Sequence, residues 1–416
     1  MPEDPSNPQG PVPVDPALAR GLTEPRYTRG QLLKTAAAGV GASALLSACG
    51  VAGTQAKKTA STTNWAAWWK KQKPTTTLDF ANWPLYIDTK HGKHPSLEQF
   101  TKATGINVNY YEVIQNNAPF YAHIAPTLQA GQSIGYDIVV MTNGWYLTEI
   151  LDINKWATPL DMSQLPNFVK YASPLVKSPD YDKGNQYTVT WQSGFTGIAY
   201  NPKLTGREIT SVHDLWDSKF KGHVGMMSDN TELGSVGMLA LGIDPATSTR
   251  ADWNKAAQLL NKQKRDGLVR QYYDQSYIKA LEQGDTWITQ AWSGDVYQAN
   301  NSGYPHLKFV VPKEGVMVWH DNMLIPLHAQ NPVSALKWMN FYYQPKIAAE
   351  VADWVNYVAP VPAAKPLLVK QDPAVGKSPL VFPTSEMNSA AHGYYTFKDY
   401  ADFQAWNGVF NPIIQA

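Results

Sequence analysis

Tyr136-Asp137-Ile138-Val139-Val140-Met141 is a nearly continuous apolar run, which is typical of a strand buried on both faces of a parallel sheet. Upstream, the apolar periodicity predicts a strand at 77–81, a helix at 95–103, a strand at 106–113 and a helix around 120–128. The order is therefore strand, helix, strand, helix, strand. Such alternation predicts an α/β fold with a parallel sheet, in which ligands bind at the carboxyl ends of the strands.

A second set of alternating elements begins near Gly194. The same periodicity predicts strands at 195–200, 224–227, 287–292 and 307–311, and helices at 231–241, 253–263, 333–343 and 347–354. A chain of 416 residues is too long for one hydrophobic core, so we predict two lobes. We expect the first lobe to comprise residues 76–193 plus 322–365, and the second to comprise 194–321 plus 366–416.

The N-terminal region has the order of an export signal. An apolar run at 35–48 follows Arg29 and Lys34, and at fourteen residues it is shorter than the roughly 20 that a bilayer span needs. Leu46-Ser47-Ala48-Cys49 resembles the bacterial lipobox, whose cysteine is lipidated after cleavage. We therefore expect a signal peptide at 1–48, lipidation of Cys49 and a tether at 49–75, which would anchor an exported protein to the outer face of the membrane.

Two further observations limit the function. Cys49 is the only cysteine, so the chain forms no intramolecular disulfide. Thirty-five basic and thirty-four acidic side chains nearly cancel, and no basic stripe is present, so we do not expect nucleic acid as a partner.

Fifteen tryptophans and twenty-two tyrosines supply aromatic surface for a ligand. Gly30 stands where a twin-arginine signal has its second arginine, which leaves two export routes open.

Four short patches at the ends of predicted elements place acids and tryptophans together: Asn82-Trp83, Asp229-Asn230-Thr231-Glu232, Trp292-Ser293-Gly294-Asp295 and Val318-Trp319-His320-Asp321. Carboxylates neutralise an ammonium group and accept its hydrogen bonds. Indole faces cover the neighbouring methylenes and attract the charge. The four patches together therefore predict a site for a polyamine.

Each patch also has a structural explanation. Asp229 and Glu232 form a reasonable helix capping box, and Asp295 is equally suited to an N-cap. Trp292 fits a hydrophobic core, and Asp321 fits a surface position. The ligand site is favoured because all four patches occur where open α/β sheets bind ligands.

Two enzyme motifs are missing from the sequence. It contains no Gly-x-x-x-x-Gly-Lys loop and no His-Glu-x-x-His pair, and we expect no catalysis, no metal and no cofactor. Two alternatives to a polyamine-binding protein remain. Acids with tryptophan platforms also serve glycoside hydrolases, and Tyr272-Tyr273 is compatible with a ferric-ion-binding clamp.

The chain resembles the bacterial spermidine/putrescine-binding proteins, the solute receptors of polyamine importers. The resemblance runs from about Leu78 to the C-terminus and depends on these segments in this order: Phe80-Ala81-Asn82-Trp83, Tyr136-Asp137-Ile138-Val139-Val140, Gly197-Ile198-Ala199-Tyr200-Asn201, Asp229 with Glu232, Trp292 with Asp295, and Pro312-Lys313-Glu314-Gly315 before Trp319-His320-Asp321. It implies a two-lobed periplasmic-binding-protein-like clamp (type II) that closes over its ligand by hinge motion. It also implies a monomer that delivers its ligand to a separate ABC permease and ATPase.

The resemblance assigns roles to individual residues. Trp83 would form one wall, and Trp292 and Trp319 would lie along the ligand chain. The remaining roles are as follows: Asp229 and Glu232 for one end of the polyamine, Asp295 and Asp321 for the other end or the middle, and Tyr357 as the match to a family tyrosine. Pro84 and Gly144-Trp145 depart from the family pattern, which affects the preferred ligand length more than the ligand class.

Overall fold

The computed structural model describes residues 63–303 and 306–415. The predicted signal peptide and Cys49 lie outside the described residues. The fold belongs to one compact unit, Trp69–Ala416. Among the described residues, no helix is long and apolar enough to cross a membrane.

The described residues form ten strands and a larger number of helices. The strands are β1 Thr77–Asn82, β2 Asn107–Glu112, β3 Ile138–Thr142, β4 Thr188–Tyr200, β5 Val224–Met227, β6 Val269–Tyr273, β7 Ile288–Trp292, β8 Lys308–Val310, β9 Val316–Leu324 and β10 Ala391–His392. The α-helices are α1 Trp65–Lys71, α2 Pro95–Thr104, α3 Asn117–Gln129, α4 Trp145–Thr148, α5 Pro166–Tyr171, α6 Pro202–Thr205, α7 Asn230–Leu239, α8 Arg250–Arg265, α9 Tyr277–Gln283, α10 Ser293–Asn301, α11 Pro332–Tyr342, α12 Pro345–Val355, α13 Lys365–Gln371, α14 Pro373–Lys377, α15 Ser385–Ser389 and α16 Tyr400–Gln415.

The strands form one mixed sheet in the order β2-β1-β3-β9-β4-β7-β5-β6, with β10 beside β9 and β8 beside β4. Parallel pairs are present, since β1 pairs with β2 and β3, and β5 pairs with β7 and with β6, a strand that the sequence did not predict. The prediction of a wholly parallel sheet is nevertheless wrong. β9 is antiparallel to β3 and β4, and β4 is antiparallel to β7.

The two central strands connect the two ends of the sheet. Residues 321–324 of β9 pair with β3, whereas the preceding residues of β9 pair only with β4 and β10. Residues 196–200 of β4 pair with β7. All thirteen residues of β4 are buried, although its first half contains Thr188, Thr190 and Gln192. Because these polar side chains interrupt the apolar pattern, the sequence predicted only the second half of this strand.

The helices that the sequence predicts are present, with ends close to the predicted ones. Gly105 ends α2 in the left-handed conformation, with φ of 73°. Phe120, Ile124 and Leu128 form the buried face of α3 despite Pro126 inside the helix. In the segment 49–75, for which we predict a tether, the described part includes α1. Trp69 of that helix is buried, and its indole donates a hydrogen bond to the Pro159 carbonyl oxygen at 2.8 Å.

Candidate ligand-binding site

Asp321 lies near the centre of the sheet, where β9 passes the end of β3. Its side chain is buried, with 6% of the residue exposed. One carboxylate oxygen accepts a hydrogen bond from the Thr142 hydroxyl at 2.6 Å, and the other accepts one from the Tyr86 hydroxyl at 2.6 Å. Burial raises the pKa of Asp321 to about 6, although both hydrogen bonds oppose that shift. The alternative interpretation of Asp321 as a surface residue is therefore wrong.

Trp319 and Tyr357 form an aromatic wall beside Asp321. The Trp319 indole lies against the backbone of Gly194, where a Cβ atom would be 2.2 Å from the ring. The rings of Trp319 and Tyr357 meet edge-on, with centroids 5.3 Å apart. Tyr357 also meets Tyr86 edge-on, at 6.0 Å. A side chain larger than hydrogen at position 194 would displace Trp319, so the glycine shapes this wall.

Asp295 is held by two tyrosines. One carboxylate oxygen accepts from the Tyr357 hydroxyl at 2.7 Å, and the other accepts from the Tyr277 hydroxyl at 2.7 Å. The N-cap interpretation of Asp295 is wrong, because α10 begins at Ser293 and Trp292 occupies the N-cap position. Asp295 instead lies in the first turn of the helix, where the helix dipole favours a negative charge.

The close packing of Gly294 against Tyr357 leads to a first prediction. A Cβ atom at Gly294 would lie 2.5 Å from the Tyr357 ring. We expect Gly294→Ala to displace that ring, to break its hydrogen bond with Asp295 and to lower ligand affinity about tenfold. Calorimetric titration measures the change. The control is Gly408→Ala, at an exposed helical position where a Cβ atom meets nothing within 4 Å. Equal affinities of the two variants would contradict the prediction.

Glu232 is a second buried acid of the site, with 6% of the residue exposed. One carboxylate oxygen, Oε1, accepts hydrogen bonds from the Thr196 hydroxyl at 2.7 Å, the Tyr394 hydroxyl at 2.7 Å and the Trp292 indole at 3.1 Å. The other oxygen, Oε2, is buried and has no hydrogen-bond partner among the described residues. Burial, followed by the nearby charge of Asp229, raises the pKa of Glu232 to about 7.

Asp229 has a structural role that the sequence predicted. It is the N-cap of α7, and its Oδ1 accepts from the backbone N–H groups of Thr231 at 2.8 Å and Glu232 at 3.0 Å. The predicted capping box is only half present, because the Glu232 carboxylate bonds to Thr196, Trp292 and Tyr394. Asp229 is exposed, and its negative charge acts on Glu232.

Trp83 lies apart from the hydrogen-bonded acids. Its indole donates to the Val140 carbonyl oxygen at 3.2 Å. The half-buried ring packs against the hydrophobic cluster that contains Phe120 and Leu147. The structure therefore places Trp83 beside β3, one strand away from Asp321.

The other predicted residues form a continuous series of contacts. From Asp321 to Glu232 the contacts run through Tyr86, Tyr357, Asp295, Tyr277 and Trp292. The sequence did not predict the hydroxyl groups that hold the acids, which belong to Tyr86, Thr142, Thr196, Tyr277 and Tyr394. No cation contributes to the pKa shift of Glu232 or Asp321 among the described residues. Two buried carboxylates thus lie at the ends of one aromatic network.

A cavity of about 160 Å³ adjoins this network. Its lining residues are Asn143, Gly144, Thr148, Leu175, Pro179, Asp180, Tyr181, Val318, His320, Gly393, Tyr394, Tyr395 and Thr396. Tyr394 belongs to both, because its hydroxyl bonds to Glu232. Burial lowers the pKa of His320 to about 4, and its Nδ1 lies 2.6 Å from the Ser193 hydroxyl oxygen. This imidazole is therefore uncharged at neutral pH.

The mixed α/β sheet and the acid-aromatic network beside its central strands are typical of a solute-binding protein of the periplasmic-binding-protein type. The chain belongs to the family described as bacterial extracellular solute-binding protein, which it matches over residues 96–381. The predicted identification and fold class are thereby confirmed.

Relatives and solved structures agree with this family. The chain is 30% identical to the spermidine/putrescine-binding periplasmic protein of Salmonella typhimurium over 311 residues, which cover 74% of this chain and 84% of the relative. It is also 30% identical to the putrescine-binding periplasmic protein SpuD of Pseudomonas aeruginosa, with 77% and 87% covered. The substrate-binding protein PotD of Streptococcus pneumoniae has the same fold, with a TM-score of 0.71 at 24% identity over 82% of this chain and 98% of that chain.

Proposed function

We propose that the protein captures a polyamine, putrescine or spermidine, outside the cytoplasmic membrane and delivers it to an ABC importer. Relatives at about 30% identity are named for these two ligands. Most of the acids and tryptophans that the sequence singled out lie in one network: Glu232, Trp292, Asp295, Trp319 and Asp321. The observation that carries the proposal is the buried Oε2 of Glu232, which lacks a hydrogen-bond partner among the described residues.

An ammonium group would compensate this buried carboxylate. Burial of an unpaired charged group costs several kcal/mol, and a cation that donates hydrogen bonds offsets that cost. Asp321, near the other end of the network, would also be compensated by a cation. Its carboxylate is buried, and only hydroxyl groups bond to it among the described residues. A ligand with a positive charge at each end satisfies both acids. Putrescine carries two such charges and spermidine three.

The aromatic residues suit the apolar part of such a ligand. Methylene groups next to an ammonium lie favourably on indole and phenol faces, which also attract the charge. Trp292, Trp319 and Tyr357 border the network between Glu232 and Asp321. In our proposal these rings cover the carbon chain, Trp83 forms an outer wall, and Asp229 adds negative potential at the Glu232 end. Asp295 orients Tyr357 and adds charge in the middle.

The two alternatives receive less support. Tyr272 and Tyr273 are neighbours on β6, so their side chains point to opposite faces of the sheet and do not converge on one ferric ion. A glycoside hydrolase belongs to another class of protein than the solute-binding family that this chain matches. We therefore propose that the protein is not an enzyme and acts through binding alone.

The cellular context is part of the same proposal. The relatives are named as periplasmic proteins, and one solved neighbour, from Treponema pallidum, is a lipoprotein with a TM-score of 0.67. We propose that Cys49 carries a lipid anchor and that the monomer presents its closed form to a separate permease, whose ATPase supplies the energy. The predicted lobes, 76–193 plus 322–365 and 194–321 plus 366–416, would close on each other as the ligand binds.

Calorimetry with a matched set of small ligands tests the proposal. We expect putrescine and spermidine to bind, and n-butylamine, which has the same chain length as putrescine but only one charge, to bind roughly 100-fold more weakly. The uncharged 1,4-butanediol should not bind. Binding should also change tryptophan fluorescence, because Trp292 and Trp319 border the site. Equal affinity for putrescine and n-butylamine, or no binding of either polyamine, would contradict the proposal.

A further inference from the structure

The C-terminal helix packs against the helix that carries Glu232. α16 contacts both α7 and α8. The Trp406 indole donates to the Asn230 carbonyl oxygen at 3.2 Å. At Gly234 a Cβ atom would lie 2.6 Å from the Trp406 ring, so this contact is as close as a glycine permits. The segment before α16, residues 394–399, is therefore held next to α7.

Tyr394, in that segment, bonds directly to the site. Its side chain is buried, and its hydroxyl donates to Oε1 of Glu232 at 2.7 Å. The Thr196 hydroxyl and the Trp292 indole donate to the same oxygen. Three donors on Oε1 leave Oε2 as the oxygen that can meet a ligand. The hydroxyl of Tyr394 is thus one of three donors that fix how the Glu232 carboxylate is turned.

Residues 394–403, which include this segment and the start of α16, also contact the opposite side of the network. The Phe403 ring stacks on the Trp145 ring, with centroids 4.7 Å apart and planes at 6°. Phe397 meets Trp145 edge-on at 6.1 Å. Trp145 follows β3, whose last residue, Thr142, bonds to Asp321. Residues 394–403 therefore connect the part of the sheet that holds Asp321 with the helix that holds Glu232.

We propose that residues 394–403 complete the ligand site, with Tyr394 as a positioning residue that turns the Glu232 carboxylate toward the ligand and the Phe403–Trp145 stack as the contact that holds the segment in place. This inference rests on the proposed capture of a polyamine.

Two effects follow from the geometry. Without the Tyr394 hydroxyl, the Glu232 carboxylate loses one donor that favours its charged form and is held by the Thr196 hydroxyl and the Trp292 indole alone. The other groups that face Glu232 are Thr196 and Trp292, which do not titrate here, and Asp229, whose charge opposes ionisation. Ligand affinity should therefore fall, and the pH at which affinity is half-lost should rise.

Tyr394→Phe tests the positioning role, with Tyr200→Phe as the matched control. Tyr200 is also a buried tyrosine whose hydroxyl donates to a carboxylate, that of Glu208, but it is not part of the proposed site. We expect Tyr394→Phe to bind putrescine about tenfold more weakly and Tyr200→Phe to bind it like the wild type. In ligand-free protein, thermal unfolding between pH 5 and pH 8 should show a changed pH dependence for Tyr394→Phe only.

Phe403→Leu tests the stack. It removes the ring that lies flat on Trp145 and keeps an apolar side chain. We expect putrescine to dissociate several-fold faster, with little change in the association rate, in stopped-flow fluorescence. In the double variant Tyr394→Phe/Phe403→Leu the losses should not add, because both changes release the same segment.

The possible results separate the two proposals. If the wild type binds no polyamine, the proposed function is wrong, and the ligand-free unfolding measurement still decides whether Tyr394 positions Glu232. If Tyr394→Phe matches Tyr200→Phe in both affinity and pH dependence, the positioning role is overturned. If Phe403→Leu dissociates at the wild-type rate, the stack does not hold the segment.

Discussion

The Asp321→Asn variant is expected to lose roughly 30- to 1,000-fold in affinity for putrescine or spermidine, which corresponds to about 2–4 kcal/mol. The substitution keeps the size of the side chain but removes its charge. Thr142 and Tyr86 already donate to the two carboxylate oxygens at 2.6 Å each, so the acid is arranged as an acceptor. An asparagine there offers one oxygen and no charge. The bound ammonium would then be buried without a counter-charge.

Asp137→Asn is the matched control for this experiment. Asp137 is also buried and accepts three hydrogen bonds, from the backbone N–H groups of Asp79 at 2.9 Å and Asn331 at 2.7 Å and from the Asn331 side chain at 2.9 Å. It lies just before β3, whereas Thr142 ends that strand. We expect Asp137→Asn to lower the thermal stability and to leave ligand affinity unchanged. Wild-type affinity of Asp321→Asn, measured by calorimetry, would show that the ligand binds elsewhere.

Local signals in the sequence predicted much of the fold. The capping aspartate of α7, the left-handed Gly105 and the spacing of Phe120, Ile124 and Leu128 depend on neighbours within a few residues, so their patterns are visible in the chain. The first half of β4 was missed because it is buried on both faces, yet it satisfies its polar side chains through tertiary hydrogen bonds. Thr190, for example, donates to Asn322.

In the site, too, residues marked by a local pattern were predicted, whereas contacts between residues far apart in the chain were not. Glu232, Trp292, Asp295 and Asp321 were predicted because acids and tryptophans at strand ends are an unusual combination. The hydroxyl groups that hold them were missed, because a tyrosine in a hydrophobic segment looks like any core aromatic residue. The bond from Tyr394 to Glu232 joins residues 162 positions apart, and no local pattern encodes such a contact.

Acidification is expected to weaken polyamine binding strongly. Glu232 has a pKa of about 7 and Asp321 of about 6, whereas the ligand amines, with pKa values near 10, stay protonated throughout. Between pH 8 and pH 5, protonation of Glu232 should cost about tenfold per pH unit below 7, and protonation of Asp321 a further tenfold per unit below 6. The expected loss over the whole interval is on the order of 1,000-fold. His320 contributes nothing in this range, because its pKa of about 4 keeps it neutral.

Acidification should lower ligand affinity but should raise the contribution of these two acids to the stability of the ligand-free protein. Both acids have a higher pKa in the folded protein than in the unfolded chain, so the folded state binds more protons at intermediate pH. Their contribution to stability is fully present below about pH 4 and is lost as the pH rises through about 6 and 7. These two acids should therefore lower the ligand-free melting temperature from pH 5 to pH 8, while the increase caused by putrescine grows. Affinity that is constant over this interval would mean that neither carboxylate meets the ligand, because a cation bound to a carboxylate must compete with its proton.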